Sequence, residues 1–187
     1  MDLLDISNDV MYFDEPLPAV VQSLLDEAAA HYRAEPDAES DPAEQCLRRA
    51  DTLAPDHLAV LVALYRFYYY RQRYAETLRV ADRAIVVACR RLGLDDDWRR
   101  LTTDDLEHAG ERSMAMTRFL LLALKGAGWL LLRLDAPGDA VERLLPVVAV
   151  DPDNRLGGRD LLSWARKAAH RAQLAAQGHA IPVIGIF

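Results

Sequence analysis

Apolar residues recur along this chain three and four positions apart, and nowhere do they alternate singly as in a half-buried strand. The clearest stretch is Asp56–Ala84, DHLAVLVALYRFYYYRQRYAETLRVADRA, which predicts two antiparallel helices with a break near Gln72–Arg73. Pro16 and Pro18 open an earlier helix at about 17–34, with Leu17, Val21, Leu24, Leu25 and Ala28 on one face. Glu35–Pro42 reads as loop. Helices follow at about 43–54, ended by Pro55, then at about 57–71 and 74–92, the last capped by Gly93. Residues 94–112 read as a charged connector with one short helix near Asp95–Leu101, because the acidic run Asp95–Asp97 suits a helix N-terminus. A long helix is predicted at about 113–134, a shorter one at 138–149 between DAPGD and DPDN, and a last one at about 156–177. The first 16 residues form an acidic arm anchored by Met11, Tyr12 and Phe13, and 178–187 an apolar tail in which Pro182 and Gly185 oppose helix. The expected class is all-α, in one domain.

Composition alters this picture little. A hydrophobic share of 51% with 27% charged residues is ordinary for a folded soluble chain. The run Phe119–Leu124 with Trp129–Leu132 is apolar enough to suggest a membrane span, but Arg118, Lys125 and Arg133 interrupt it. It predicts a central helix buried on most sides. No membrane contact is expected. The N-terminus lacks a basic signal region, and Cys46 and Cys89 lie far apart on predicted helices, so reduced, half-buried thiols in a cytoplasmic protein are expected.

Charge changes it more. The net charge is −7, but residues 1–42 hold eleven acidic groups and one basic group, Arg33, whereas 43–187 hold 18 acidic and 21 basic groups. The overall sign speaks against nucleic acid as a partner. The segregation allows one basic surface on the helical body.

The helices also repeat. In a unit of about 34 residues, Ala43, Leu47, Ala50 and Pro55 share one spacing with Ala140, Leu144, Val147 and Pro152. Leu58, Leu61, Leu64, Tyr68, Tyr74, Thr77, Ala81 and Ala84 complete a middle unit. This pattern, with LAPDH, RYAETLRVADRA and VDPDN, resembles the tetratricopeptide repeat (TPR) family over roughly residues 20–177. The resemblance implies a helix-pair solenoid of three repeats and a closing helix. Tyr65 stands where that family places a small residue, which is expected to push its two helices apart or tilt them. The first unit has a stretched loop, and a helical insertion, 94–112, separates units two and three.

Reaction chemistry is sparse. The five histidines show no metal spacing, and there is no CxxC, phosphate-binding loop or nucleophile elbow. No enzyme activity, catalytic residue, metal or cofactor is expected. A basic–aromatic face is the sharper signal. In the family, first helices of each pair line a concave groove. The matching positions are Ala59, Val62, Arg66, Tyr69 and Tyr70 in unit two, and Leu122, Lys125, Trp129, Leu132 and Arg133 in unit three. Lys125, Trp129 and Arg133 share a helical face, and Arg66, Tyr69, Tyr70 and Arg73 are expected to face them. Such side chains in a recess suit a protein partner offering carboxylates and apolar groups. The plainer reading is that the tyrosines fill gaps between helices and the arginines are solvated. The acidic first 42 residues, or the tail Ile181–Phe187, are alternative occupants of the groove. The family's chaperone-tail clamp is missing, because its positions hold Val62, Arg66 and Gly126.

Three strings narrow the resemblance: 61–85, the insertion's RRLGLDDDWRRL (90–101), and RFLLLALKGAGWLLLRL (118–134). They look like a small family of TPR proteins encoded among nitrogen-fixation genes of diazotrophic bacteria. That resemblance implies a nitrogenase-associated factor binding the molybdenum–iron protein during maturation or when damaged. The alternatives are a general TPR scaffold for another bacterial complex, or a helical protein using the Arg/Tyr groove as a small-anion pocket. Oligomeric state is left open.

Overall fold

The computed structural model describes residues 15–32 and 41–176. The acidic arm up to residue 14, most of the loop before Pro42, and the apolar tail lie outside the described residues. Among those described, the regular structure is helical throughout: α1 (Ala19–Tyr32), α2 (Pro42–Leu53), α3 (Leu58–Tyr70), α4 (Tyr74–Leu92), a 3-10 turn (Trp98–Arg100), α5 (Thr103–Arg112), α6 (Met114–Arg133), α7 (Pro137–Ala149) and α8 (Gly158–Ala176). The all-α expectation holds.

Local chemistry sets the boundaries. The Pro18 carbonyl accepts from Val21 and Gln22 at the start of α1. Asp41 caps α2 by accepting from the Ala43 amide at 3.0 Å, and Pro42 follows it at the first helical position. Gly93 ends α4 at φ +66°, the left-handed conformation that favours glycine. In place of the expected connector, residues 103–112 form a helix of their own. Its Thr102 hydroxyl accepts from the Asp105 amide, and the Asp105 carboxylate accepts from the Thr102 amide, a complete capping box. The acidic run caps the turn before it, with Asp97 accepting from the Arg99 amide.

Helices pack mainly on their sequence neighbours: α1 on α2, α3 on α4, α6 on α7, α7 on α8. The exception is the most extensive contact of all, α4 against α6, formed across the insertion, with α5 resting on α6. Two apolar clusters result. The larger runs from α1 to α6 and takes in Val147 of α7, and the smaller joins Leu131 of α6 to Ala140 and Leu144 of α7 and Leu161, Leu162 and Ala165 of α8. Gly128 lets α6 and α7 approach closely, for a Cβ there meets Leu144 Cγ at 2.7 Å. By length and composition α6 could cross a membrane, but 67% of its apolar window is buried in the fold, so it is the central core helix the sequence predicts.

The thiols correct one expectation. Cys46 and Cys89 are free, as expected, but buried and not half-buried. Burial raises the pKa of both: that of Cys89 is pushed up to about 11, with Asp96 and Asp95 adding to the effect, and that of Cys46 also rises beside Glu27.

Arginines tie successive helix pairs together. Asp41, Glu44 and Asp51 of the α2 segment take Arg71 at 3.0 Å, Arg73 at 2.6 Å and Arg83 at 2.8 Å. Arg83 binds both Asp51 oxygens and also donates to the Pro55 carbonyl at 2.7 Å. Arg71 further lies over the rings of Tyr32 and Phe67, which meet edge to face.

Candidate functional site

The middle helix pair ends in a run of tyrosines whose spacing decides their geometry. Tyr65 and Tyr69, four residues apart on α3, stack with centroids 6.0 Å apart and planes 8° from parallel. The Tyr65 ring is partly buried against the core. Tyr69 meets Tyr70 edge to face at 5.7 Å, and across the tight turn it meets Tyr74 of α4 at 6.1 Å. Gln72, at φ +57°, makes that turn. Tyr70 is 48% exposed, a large apolar ring left open to solvent.

Arg133, at the end of α6, completes the cluster. Its guanidinium lies 5.0 Å from the centroid of the Tyr74 ring and donates to the Tyr74 hydroxyl at 3.4 Å. Tyr69 and Tyr70, expected to face Arg133 across a groove, are therefore joined to it through Tyr74. Arg66 is half-buried, one turn before Tyr69 and Tyr70 on α3, and makes no hydrogen bond or ion pair with any described residue.

The other three residues go elsewhere. Arg73 turns toward Glu44 of α2 and is also held by Glu76 in the first turn of α4, and its cation lies 4.7 Å from the Tyr68 ring centroid. The hydrogen bond from Arg73 to Glu44 leads the effects that raise its pKa. Trp129 is half-buried in the smaller apolar cluster, alongside Leu78 and Leu132. Lys125 donates to the Leu156 carbonyl at 2.6 Å. The loop it reaches is built by Asp151, whose two oxygens accept from the Arg155 and Leu156 amides at 2.8 and 2.7 Å. Lys125 thus secures the α7–α8 connection.

A second cluster pins the insertion to the body. Trp98 is buried between two guanidiniums, Arg143 at 4.2 Å and Arg99 at 4.6 Å from its centroid. Arg143 is only 6% exposed and lies 2.8 Å from Asp82 of α4. The two are close without being aligned for a hydrogen bond, since that Asp82 oxygen and the Arg143 Nε and Nη1 are unsatisfied. Burial lowers the Arg143 pKa, with Asp82 opposing. Sequence reasoning passed over both Tyr74 and Arg143. An arginine in an apolar row of α7, facing the tryptophan of DDDWRR, was the available signal for the second.

Among the described residues no group of three or more His, Cys, Asp or Glu side chains could hold a metal ion. The tyrosine–arginine surface offers ring faces, hydroxyls and guanidinium donors, which suit carboxylates and apolar side chains.

No family model matches this chain, and no solved structure matches it significantly. It is 44% identical over 174 residues, 93% of each chain, to a protein of Azotobacter chroococcum mcd 1 described as an uncharacterized 19.8 kDa protein in the nifW 5′ region. At that identity and coverage, the chain belongs to the family of this Azotobacter protein.

Proposed function

We propose that this chain is a non-catalytic, cytoplasmic protein-interaction module of TPR type that serves nitrogen fixation, binding the nitrogenase molybdenum–iron protein during its maturation or protection. The observation that carries the reading is kinship along nearly the whole chain with a protein whose gene lies in the nifW 5′ region. The sequential pairing of helices supports a repeat scaffold. The partly open surface of Tyr69, Tyr70, Tyr74 and Arg133 supports a protein partner over a small ligand, because rings and guanidiniums at a partly exposed surface are typical interface anchors.

The test is titration of purified molybdenum–iron protein, mature and cofactor-free, with the wild-type chain and with an Arg66→Glu, Tyr70→Ala, Arg133→Glu triple variant. Saturable binding by the wild type and its loss in the triple variant are expected. Lys125→Met serves as a separate control, since Lys125 supports the α7–α8 loop. Absence of binding to either form of the molybdenum–iron protein overturns the assignment of partner. Affinity capture from the source organism grown on dinitrogen and on ammonium then decides between that component and another bacterial complex.

A further inference from the structure

The two ends of the helical array carry opposite charge. The first helix, α1, packs on α2 and touches α3 through Tyr32, leaving its outer side open. That helix holds Asp26 and Glu27 with no lysine or arginine, and Val20 is 57% exposed on it. Asp26 is bound by Gln22 at 2.9 Å, and Glu27 accepts from Ser23 and the Cys46 thiol, so neither carboxylate meets a cation among the described residues. At the other end, α8 packs on α7 and only slightly on α6. It buries Gly158, Leu161, Leu162 and Ala165. Its open side carries Trp164, 59% exposed, with Lys167 and Arg171 one and two turns further along the same face. Neither cation forms an ion pair with a described residue.

An exposed tryptophan flanked by cations that have no ion-pair partner among the described residues has the composition of an interface anchor. We propose that the protein self-associates head to tail, the Trp164–Lys167–Arg171 face of α8 in one copy seating on the Asp26–Glu27 face of α1 in the next. A second copy is the occupant favoured by charge: α1 carries Asp26 and Glu27 and no lysine or arginine, whereas α8 carries Arg159, Arg166, Lys167 and Arg171 against Asp160 alone. The two faces differ, so the contact is heterologous and extends into chains unless a rotation closes it into a ring. Net repulsion between copies of charge −7 makes it weak and concentration-dependent.

The test is analytical ultracentrifugation of the full chain over a concentration series. Wild type is expected to exceed its 21.0 kDa monomer mass progressively. Trp164→Ala, Lys167→Glu/Arg171→Glu and Asp26→Lys/Ala30→Lys are each expected to remain monomeric with unchanged helical circular dichroism. Mixing the two charge-reversed variants in equal amounts is expected to restore association, because each then offers the other a complementary end. Asp26→Lys alone replaces the α1 variant if the double change lowers helicity. A wild type that is monomeric throughout overturns the proposal, as does a mixture no larger than its parts. Association appearing only when residues 1–14 are removed also overturns it, assigning the α8 face to the chain's own arm.

Discussion

The Arg143 guanidinium lies 4.2 Å from the centroid of the Trp98 ring, so a buried cation on α7 is the seat of the insertion's one tryptophan. The energetic weight falls on the ring. Two of the guanidinium nitrogens have no hydrogen-bond partner, and Asp82 is not aligned to supply one. Arg143 is buried but its Asp82 partner is nearly half exposed, so removing the cation leaves no buried charge behind. Arg143→Met is therefore expected to change unfolding free energy by less than about 1.5 kcal/mol. Trp98→Ala is expected to cost about 3 kcal/mol through the cavity it leaves. Urea denaturation of both variants measures the two effects, and the opposite order would show that the ion pair holds the insertion.

Gly128 sits where α6 and α7 come closest. Alanine there gains about 1 kcal/mol of helix propensity. Its Cβ, however, meets Leu144 Cγ and Cδ2 at 2.7 and 2.8 Å, and Leu144 is fully buried. Overpacking of this kind costs about 1–3 kcal/mol, so Gly128→Ala is expected to be a net loss of roughly 1 kcal/mol. Removing the clash with Leu144→Ala in the Gly128→Ala background is expected to cost less than Leu144→Ala alone. A double-mutant cycle with no coupling between the two sites is the contrary result.

Cys89 gives stability a pH dependence above neutrality. Its thiol pKa is pushed up to about 11 by burial, from an ordinary value of 9.0. Between these values the unfolded chain loses a proton that the native protein keeps, so stability falls as pH rises. The contribution is complete below the unfolded value and is lost through the native one. Cys89→Ala is expected to flatten the decline seen in urea midpoints across that window. In the native wild type, Ellman's reagent is expected to find no reactive thiol near neutral pH.

The capping box of α5 is a local device. Thr102→Ala is expected to remove about 1 kcal/mol from that helix. Amide hydrogen exchange of residues 103–112 should accelerate, while exchange in α4 stays unchanged. Bonds from the Thr102 hydroxyl and amide hold the Asp105 pKa below its ordinary value. The contribution is thus present above the unfolded pKa and is lost as pH falls through the native one. Equal acceleration in α4 would mean that the insertion and the body open as one unit.

Helix positions were legible because each boundary carries its own chemistry: Pro42 after Asp41, Gly93 in the left-handed region, Pro137 opening α7. The missed helix, α5, was legible in principle from Thr102 and Asp105. It was hidden because its sequence, TDDLEHAGER, buries only Leu106 and Ala109 and so shows little apolar periodicity. The site was legible in part. Helical spacing brings Tyr69 and Tyr70 together, and the stacking of Tyr65 follows from a separation of four. Spacing along one helix says nothing about which neighbouring helix competes for a long side chain. Arg73 goes to Glu44, twenty-nine residues away, and Lys125 to the Leu156 carbonyl, thirty-one residues away. Those choices depend on contacts between helices.

The direct seam between α4 and α6 bears on how the molecule assembles. Leu92 ends one helix and Met114 begins the other, so closing the seam loops out the whole insertion. Loop closure of that length adds only modestly to the entropic barrier, and the seam it allows is the most extensive helix contact in the fold. Because α6 contributes to both apolar clusters, a substitution in that one helix reaches the packing of both halves of the molecule.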